Sequence, residues 1–210
     1  MFTDDTGHPG VGPFNNQLRS PGASSHVNRP HFTTLKALQV ASARKYTPTA
    51  NNNRREHVGW GYPSLQDMWD DRGKTLIVDE TDILTQGNMT RWDTNIAAGQ
   101  PTFKAVLNYN EPAANPAAAQ TLINNLSLKV TAPNGTIYWG NNGLEVGNWS
   151  PVGGSEDTVN PIECVFVQNP APGVWHIDVI ATSIVQDNHL ETGTLDADYG
   201  LVVTGGTAQP

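Results

Sequence analysis

Residues 126–139 read Leu-Ser-Leu-Lys-Val-Thr-Ala-Pro-Asn-Gly-Thr-Ile-Tyr-Trp and contain the strongest fold signal in the chain. Two runs rich in apolar, β-branched and aromatic residues flank Asn134-Gly135. This pair suits a two-residue hairpin turn, because both central positions of such a turn need a positive φ. The stretch therefore predicts two antiparallel strands, Leu126–Ala132 and Thr136–Trp139.

Six further runs of the same character lie between Gly, Pro and Asn residues, and they predict six more strands. In one of them Trp175, Ile177 and Val179 alternate with His176 and Asp178, as in a strand with one face in the core and the other in solvent. Together the eight strands predict a mainly β protein with an eight-stranded antiparallel β-sandwich of jelly-roll type. The six runs are Thr75–Val78, Met89–Ile96, Thr102–Tyr109, Pro161–Val167, Val174–Ile184 and Tyr199–Thr204.

The composition agrees with this architecture. The chain has 210 residues, enough for one full core without disulfides, and its single cysteine, Cys164, is expected to be a buried and unreactive thiol. Gly and Pro are frequent, at 20 and 15 residues, and only 15% of the residues are charged. This turn-rich and lightly charged composition is typical of all-β extracellular modules. The chain also has no apolar run long enough to span a membrane.

The charge is negative overall and unevenly distributed. Twelve Lys and Arg face twenty Asp and Glu, a net charge of −8 that argues against a nucleic-acid partner. Every basic residue lies at or before Lys129, whereas residues 1–60 contain seven basic and only three acidic residues. A basic front and an acidic back indicate either ordinary solvated surfaces or two complementary surfaces, within one subunit or between neighbours.

The residues before the sandwich fall into two predicted segments. Residues 1–31 have scattered apolar side chains and predict an extended arm that cannot fold alone. Residues 32–72 predict a short helix from Thr33 to about Lys45, and a second that begins at Pro63-Ser64 and places Leu65, Met68 and Trp69 on one face. Residues 73–210 form the predicted sandwich domain.

Eight segments form a series that matches one protein family in order. They are Leu35-Lys36-Ala37-Leu38 with Ser42-Ala43, Gly59-Trp60-Gly61, Leu107 with Tyr109-x-Glu111-Pro112, Ile123–Leu128, Pro133–Thr136, Asn160–Val165, Pro172–Trp175 and Tyr199–Gly205. The series resembles the C-terminal region of secreted subtilisin-like serine peptidases, in which the last helix of the catalytic domain precedes a jelly-roll domain. The resemblance implies a secreted or cell-surface protein, although residues 1–31 lack the features of a signal peptide.

The catalytic machinery of that family is missing from this sequence. Neither a Gly-Thr-Ser-x-Ala-x-Pro motif for the serine nor a His-Gly-x-His motif for the histidine is present. A triad needs all three members to converge in space. Asp5-Thr6-Gly7 and Gly22-Ala23-Ser24-Ser25 imitate two of the motifs, but too few residues separate them to hold a catalytic domain. We therefore predict that the chain is not an enzyme.

Binding and modification residues can be predicted only coarsely. No cofactor is expected, and the six histidines lack the spacing of a zinc site. Calcium is the one metal for which short acidic runs offer ligands, at Asp79, Glu80, Asp82, Asp196 and Asp198, expected in loops. In the segment Ile123–Leu128, Asn125 and Ser127 replace two acidic residues of the family pattern. Four sequons make Asn88, Asn125, Asn134 and Asn148 predicted glycosylation acceptors in an exporting host.

Three hypotheses for the function follow from these observations. The first is a non-catalytic extracellular structural protein that self-assembles into filaments, because the arm of one subunit docks head to tail on the sandwich of the next. The second is a non-catalytic C-terminal domain of a secreted subtilisin-like serine peptidase. The third is a carbohydrate-binding module that uses an exposed tryptophan such as Trp149. The side chains expected to dock the arm are Phe2, Val11, Phe14, Leu18 and Arg19.

Overall fold

The structure, a computed structural model, describes residues 29–45 and 55–208. Most of the predicted arm, residues 1–31, therefore lies outside the described residues. The same is true of the five side chains expected to dock it, Phe2, Val11, Phe14, Leu18 and Arg19. The division of the chain into an arm, a helical segment and a sandwich at residues 31 and 72 stays a prediction.

The described chain contains three helices, a 3-10 turn and nine strands. The helices are α1 (Phe32–Ala41), α2 (Arg55–Val58) and α3 (Leu65–Asp70), and the 3-10 turn is Arg72–Lys74. The strands are β1 (Thr75–Leu84), β2 (Met89–Ile96), β3 (Thr102–Asn108), β4 (Asn125–Thr131), β5 (Ile137–Trp139), β6 (Ile162–Gln168), β7 (Gly173–Ser183), β8 (Ala197–Thr204) and β9 (Gly206–Ala208).

The strands form two antiparallel sheets in the order of a jelly roll. One sheet has the order β1-β8-β3-β6, and the other has the order β5-β4-β7-β2-β9. Each of the first eight strands overlaps one of the eight predicted strands, so the mainly β, jelly-roll prediction is confirmed. The ninth strand, β9, was not predicted; it pairs with Thr94–Ile96 at the end of β2.

Two predicted elements have different lengths in the structure. Strand β1 continues past Val78 to Leu84 through a bulge, where Glu80 has a φ of 56°. Helix α1 ends at Ala41 and not near Lys45. The helix stops because Arg44 already belongs to an antiparallel bridge, in which it exchanges two backbone hydrogen bonds of 2.9 and 3.0 Å with Tyr62.

The main core lies between the two sheets. Trp175 on β7 is buried there and stacks on Phe103 of the opposite sheet, with 4.8 Å between the ring centroids. Its indole N–H donates to the Ala171 carbonyl at 2.9 Å, so the ring enters the core with its polar atom satisfied.

A second core covers the outer face of the four-stranded sheet. Helix α1 packs on this face, and its close approach depends on Gly200, where a Cβ would lie 2.6 Å from the Thr34 nitrogen. All eight residues of β8 are buried, because both faces of the strand are covered. The members of this second cluster are Ala37, Leu38, Val40, Ala41, Met68, Ile77, Val106, Leu144, Cys164, Phe166 and Val202.

The outer face of the five-stranded sheet is polar. Arg91, Asp178 and Lys129 lie side by side on β2, β7 and β4. The Arg91 guanidinium donates two hydrogen bonds to the Asp178 carboxylate, at 2.6 and 2.9 Å. Asp178 thus lies on the outer face, as the alternation predicts, but these longer side chains cover it completely.

Candidate functional site

The two acidic runs predicted to offer calcium ligands meet in the structure. All but Asp196 lie on neighbouring strands and not in loops, because Asp79 pairs with Gly200 and Ile83 pairs with Asp198 across β1 and β8. Asp196 directly precedes β8. The bulge in β1 lies between these two pairs and changes the direction of the Glu80 side chain. Asp198 and Glu80 influence each other, since the Glu80 charge contributes to the raised pKa of Asp198.

Two of these carboxylates cap helix α1. The Asp79 carboxylate accepts a 2.9 Å hydrogen bond from the backbone N–H of His31, and Glu80 accepts one from the Thr33 hydroxyl. The His31 ring lies 3.3 Å from Asp79 and 3.5 Å from Glu80. Negative charge at a helix N-terminus is stabilising, so the cluster fixes α1 on the sheet.

Two of the other three carboxylates of the cluster have partners of their own. Asp82 accepts from the Tyr199 hydroxyl at 2.5 Å, and Asp196 lies 3.1 Å from the His189 ring. Burial, and then the charge of Glu80, raise the pKa of Asp198 to about 6. Among the residues that the structure describes, no group of three or more His, Cys, Asp or Glu side chains could hold a metal ion. Calcium at these residues stays a prediction.

The predicted glycosylation acceptors occupy two kinds of position. Asn88, Asn134 and Asn148 are exposed, so their amides are accessible in the folded chain. Asn125 is buried on β4 and its amide points at Glu156, so it is accessible only to an enzyme that acts before folding. Trp149, the residue chosen for carbohydrate binding, has a side chain that is 36% exposed.

Two buried groups on β6 face opposite sides of the sheet. The Cys164 thiol is fully buried, as expected, and burial raises its pKa; its low reactivity stays a prediction. The Glu163 carboxyl is also fully buried, and its Oε2 accepts a 2.9 Å hydrogen bond from the Leu128 backbone N–H. Burial raises the pKa of Glu163, and Gly140 leaves the space that the carboxyl fills.

A cavity of about 440 Å³ lies between the helical segment and the jelly roll. Arg55 and Trp60 both line this cavity. The Arg55 guanidinium stacks over the Trp60 ring, 4.2 Å from the ring centroid. Sequence reasoning noticed Trp60 within Gly59-Trp60-Gly61 but missed Arg55, because no motif marks it. The lining residues are Arg55, Gly59, Trp60, Asn141, Leu144, Glu145, Asn160 and Ile162.

Helix α3 presents an apolar side to solvent. Ser64 caps the helix by accepting a 3.1 Å hydrogen bond from the Asp67 N–H, as predicted for a helix that begins there. Only Met68 turns into the second core, whereas Leu65 is 65% exposed and Trp69 is 42% exposed. The three residues predicted to share one face of the helix thus differ in burial, since only Met68 is covered. Leu65 and Trp69, four residues apart, form an exposed apolar pair that we call the α3 ledge.

Comparisons with known proteins give limited information. No protein-family model matches the chain, and no curated protein matches it. A lipase of Bacillus licheniformis in its propeptide form aligns with 93% of this chain and 32% of its own length, at 11% identity and a TM-score of 0.36. The CspB protease of Clostridium perfringens aligns with 66% of this chain and 27% of its own length, at 13% identity and a TM-score of 0.35. The chain thus spans a third or less of these proteins, and likeness at this level supports no argument about function.

Proposed function

We propose that the chain is a non-catalytic jelly-roll module of the kind that follows the catalytic domain in secreted subtilisin-like serine peptidases. In this proposal its helical segment is the side that contacts the catalytic domain. The proposal starts from the resemblance of Leu35–Leu38 and Gly59-Trp60-Gly61 to the end of such a domain. It also assigns the protein to the outside of the cell.

One observation carries this proposal. The helical segment shares a continuous hydrophobic cluster with the outer face of the four-stranded sheet, and Leu38 of α1 is only 2% exposed there. The segment and the sandwich therefore fold as one unit. On the same side of the molecule, the α3 ledge leaves two large apolar side chains in solvent, and exposed apolar groups of this kind mark interaction sites. No helix among the described residues is long and apolar enough to cross a membrane.

A binding experiment tests the proposed contact. The purified chain is mixed with a subtilisin-like catalytic domain prepared without its own C-terminal sandwich, and the mixture is examined by size-exclusion chromatography with light scattering. We expect a one-to-one complex that Leu65→Asp abolishes. Met89→Asp is the matched control, because Met89 is also an exposed apolar residue but lies on the five-stranded sheet.

Two results would contradict the proposal. One is the absence of a complex with the wild-type chain. The other is a complex that survives Leu65→Asp as well as it survives Met89→Asp. Hydrolysis of casein by the purified chain, free of contaminating peptidase, would contradict the non-catalytic assignment.

Self-assembly is the second candidate function, and one feature of the five-stranded sheet favours it. In the described part of the chain, β9 pairs only with Thr94–Ile96 of β2, so Met89–Asp93 pair with β7 alone. A strand edge of this kind can accept a strand from another subunit. Electron microscopy of the full chain, beside a version without residues 1–30, tests this candidate. Filaments that need residues 1–30 would favour it over the peptidase module, and single particles in both samples would contradict it.

A further inference from the structure

The cavity between the helical segment and the jelly roll contains a cation with an unused hydrogen-bond donor. The Arg55 guanidinium lies 4.2 Å from the Trp60 centroid and 5.6 Å from the Phe166 centroid. Its Nη1 makes one long hydrogen bond of 3.4 Å to the Gly59 carbonyl. Its Nε is buried, and within the described residues it has no hydrogen-bond partner. A buried donor without a partner is costly unless a ligand supplies the acceptor.

A second cation lies near Arg55. Burial lowers the pKa of Arg55, and the nearby Cys164 thiol opposes that shift. Lys45 is close enough that the Arg55 charge, after burial, lowers its pKa. Two cations therefore lie together in a chain whose net charge is −8. Such a pair favours an anionic ligand.

The other walls of the cavity combine apolar surface with fixed amides. Leu144 and Ile162 provide aliphatic surface. The side-chain amides of Asn141 and Asn160 both donate to the Asp157 carboxylate, at 2.6 and 2.8 Å, so their orientation is set before any ligand arrives. A volume of about 440 Å³ lies in the range of small-molecule sites.

We propose that this cavity binds a small monocarboxylate with an apolar body, such as a free N-acylated amino acid or the C-terminal residue of a peptide. Its carboxylate accepts hydrogen bonds from the edge of the Arg55 guanidinium, which suits the planar, forked geometry of that pair. Its apolar part lies against Trp60, Leu144 and Ile162. A single negative charge matches the site better than a phosphate dianion, because Glu145 lines the cavity and Asp157 stands behind its amides. The proposal is independent of the docking of a catalytic domain.

The first test compares an acid with its amide on the wild-type chain. N-acetyl-L-leucine and N-acetyl-L-leucinamide are titrated by isothermal calorimetry, and the indole N–H signal of Trp60 is followed by NMR. The two probes differ only in charge at the carboxyl end. We expect the acid to bind at least about tenfold more tightly and to shift the Trp60 signal. Equal affinity, or binding of neither probe, would overturn the proposal.

The second test uses a matched pair of arginine variants. Arg55→Gln should weaken N-acetyl-L-leucine binding about tenfold or more. Arg72→Gln is the control, because Arg72 also stacks on an indole, that of Trp69, at 4.2 Å, but outside the cavity. Unchanged affinity in Arg55→Gln, or an equal loss in Arg72→Gln, would contradict the assignment. Should Arg55→Gln not fold, the comparison of acid and amide decides alone.

A third probe distinguishes the two sources of the carboxylate. The peptide Ala-Ala-Leu carries the same terminal group on a longer chain, and its C-terminal amide is the control. Tighter binding of the free-acid peptide than of N-acetyl-L-leucine would identify a peptide terminus as the ligand. Equal or weaker binding would identify the small acid. In both cases the peptide amide should bind more weakly than the free-acid peptide, and equal binding of the two would contradict recognition of the carboxylate.

Discussion

The two sheets of the jelly roll share one core but have opposite outer faces. The four-stranded sheet is apolar on its outside, where Ile77, Val106 and Val202 lie beneath helix α1. The five-stranded sheet has on its outside a charged row in which the Asp178 carboxylate is paired with the cations of its neighbours. An apolar outer face must be covered, whereas a polar face is satisfied by its own side chains. The four-stranded sheet is therefore the side of the sandwich that needs a covering element, here helix α1.

The contrast extends to the sheet edges. The edge of β6 is closed by its own loop. The backbone N–H groups of Asn141 and Ser150 donate to the carbonyls of Cys164 and Phe166. In return, the Asn141 Oδ1 and the Ser150 hydroxyl accept hydrogen bonds from the N–H groups of those two residues. The uncovered part of β2 carries charged side chains instead, and Asp93 there lies 2.6 Å from the His176 ring. The loop therefore covers the edge of β6, whereas Met89–Asp93 of β2 have no second strand beside them within the described residues.

The largest expected effect comes from breaking the cover on the four-stranded sheet. Leu38→Ala removes a buried side chain from the second core and should lower the free energy of unfolding by about 2 to 5 kcal/mol. Gln39→Ala, an exposed neighbour on the same helix, should change it by less than about 0.5 kcal/mol. Urea denaturation followed by tryptophan fluorescence measures both. Similar losses in the two variants would mean that α1 does not pack on the sheet as described.

The next effect comes from separating α1 and β8 without removing any contact atom. In Gly200→Ala the new Cβ would lie 2.6 Å from the Thr34 nitrogen. Relief of this clash requires a shift of helix α1 or of strand β8, because the atoms it meets belong to the backbone. We expect a loss of about 1 to 3 kcal/mol. Gly73→Ala is the control, because nothing lies within 4 Å of its added Cβ. The difference between the two midpoints in urea tests the close approach, and equal midpoints would refute it.

A smaller effect is expected on the polar face. Asp178→Asn removes the charge that pairs with Arg91 and Lys129, which should cost about 1 to 2 kcal/mol, since the Arg91 side chain is half exposed and can regain water. The loss should shrink in 1 M NaCl, where exposed charges are screened. Thermal unfolding at two salt concentrations measures this, and a loss that is independent of salt would show that packing, not charge, holds this row.

The smallest effect concerns Asp198, for which the described part of the chain offers no such ion pair. Burial and the Glu80 charge raise the pKa of Asp198 from 3.8 to about 6, while His189 opposes the shift. Between these values the folded chain keeps a proton that the unfolded chain releases, so the stabilisation is complete below pH 4 and is lost as the pH rises through 6. Its size should be about 1 kcal/mol after solvent screening.

Asp198→Asn provides the reference for this pH dependence. The difference in unfolding free energy between the wild type and the variant should fall as the pH rises from 4 to 6. Denaturation in urea at half-unit pH steps measures the difference. A constant difference, or one that grows with pH, would contradict the raised pKa of Asp198.

Much of the fold could be predicted from local patterns, because each strand combines β-branched residues with turn residues at its ends. The limits of β2 match the prediction, and those of β3 differ by one residue at one end. The short strand β9 could not be predicted, since Gly-Thr-Ala has no strand signal and pairs only because β2 offers it an edge. The burial of Asp178 likewise depends on neighbours that are distant in sequence.

The candidate sites could be predicted only in fragments. The two acidic runs were found as separate groups, but their meeting across β1 and β8 depends on the sheet order, which residue spacing does not reveal. The cavity draws its lining from three distant parts of the chain, and its Arg55 lies in a four-residue helix without a motif. Local patterns predict elements, whereas sites of this kind arise from topology.

The central position of β8 also determines when the protein can fold during synthesis. This strand is paired on one side with β1 and on the other with β3, and it lies beneath α1 as well. A nascent chain that ends before Ala197 therefore lacks a central strand of the four-stranded sheet. It also lacks the β8 side chains that belong to both hydrophobic cores. Chains that stop before Ala197 should therefore remain open to protease, whereas chains that include β8 should become resistant in a single step.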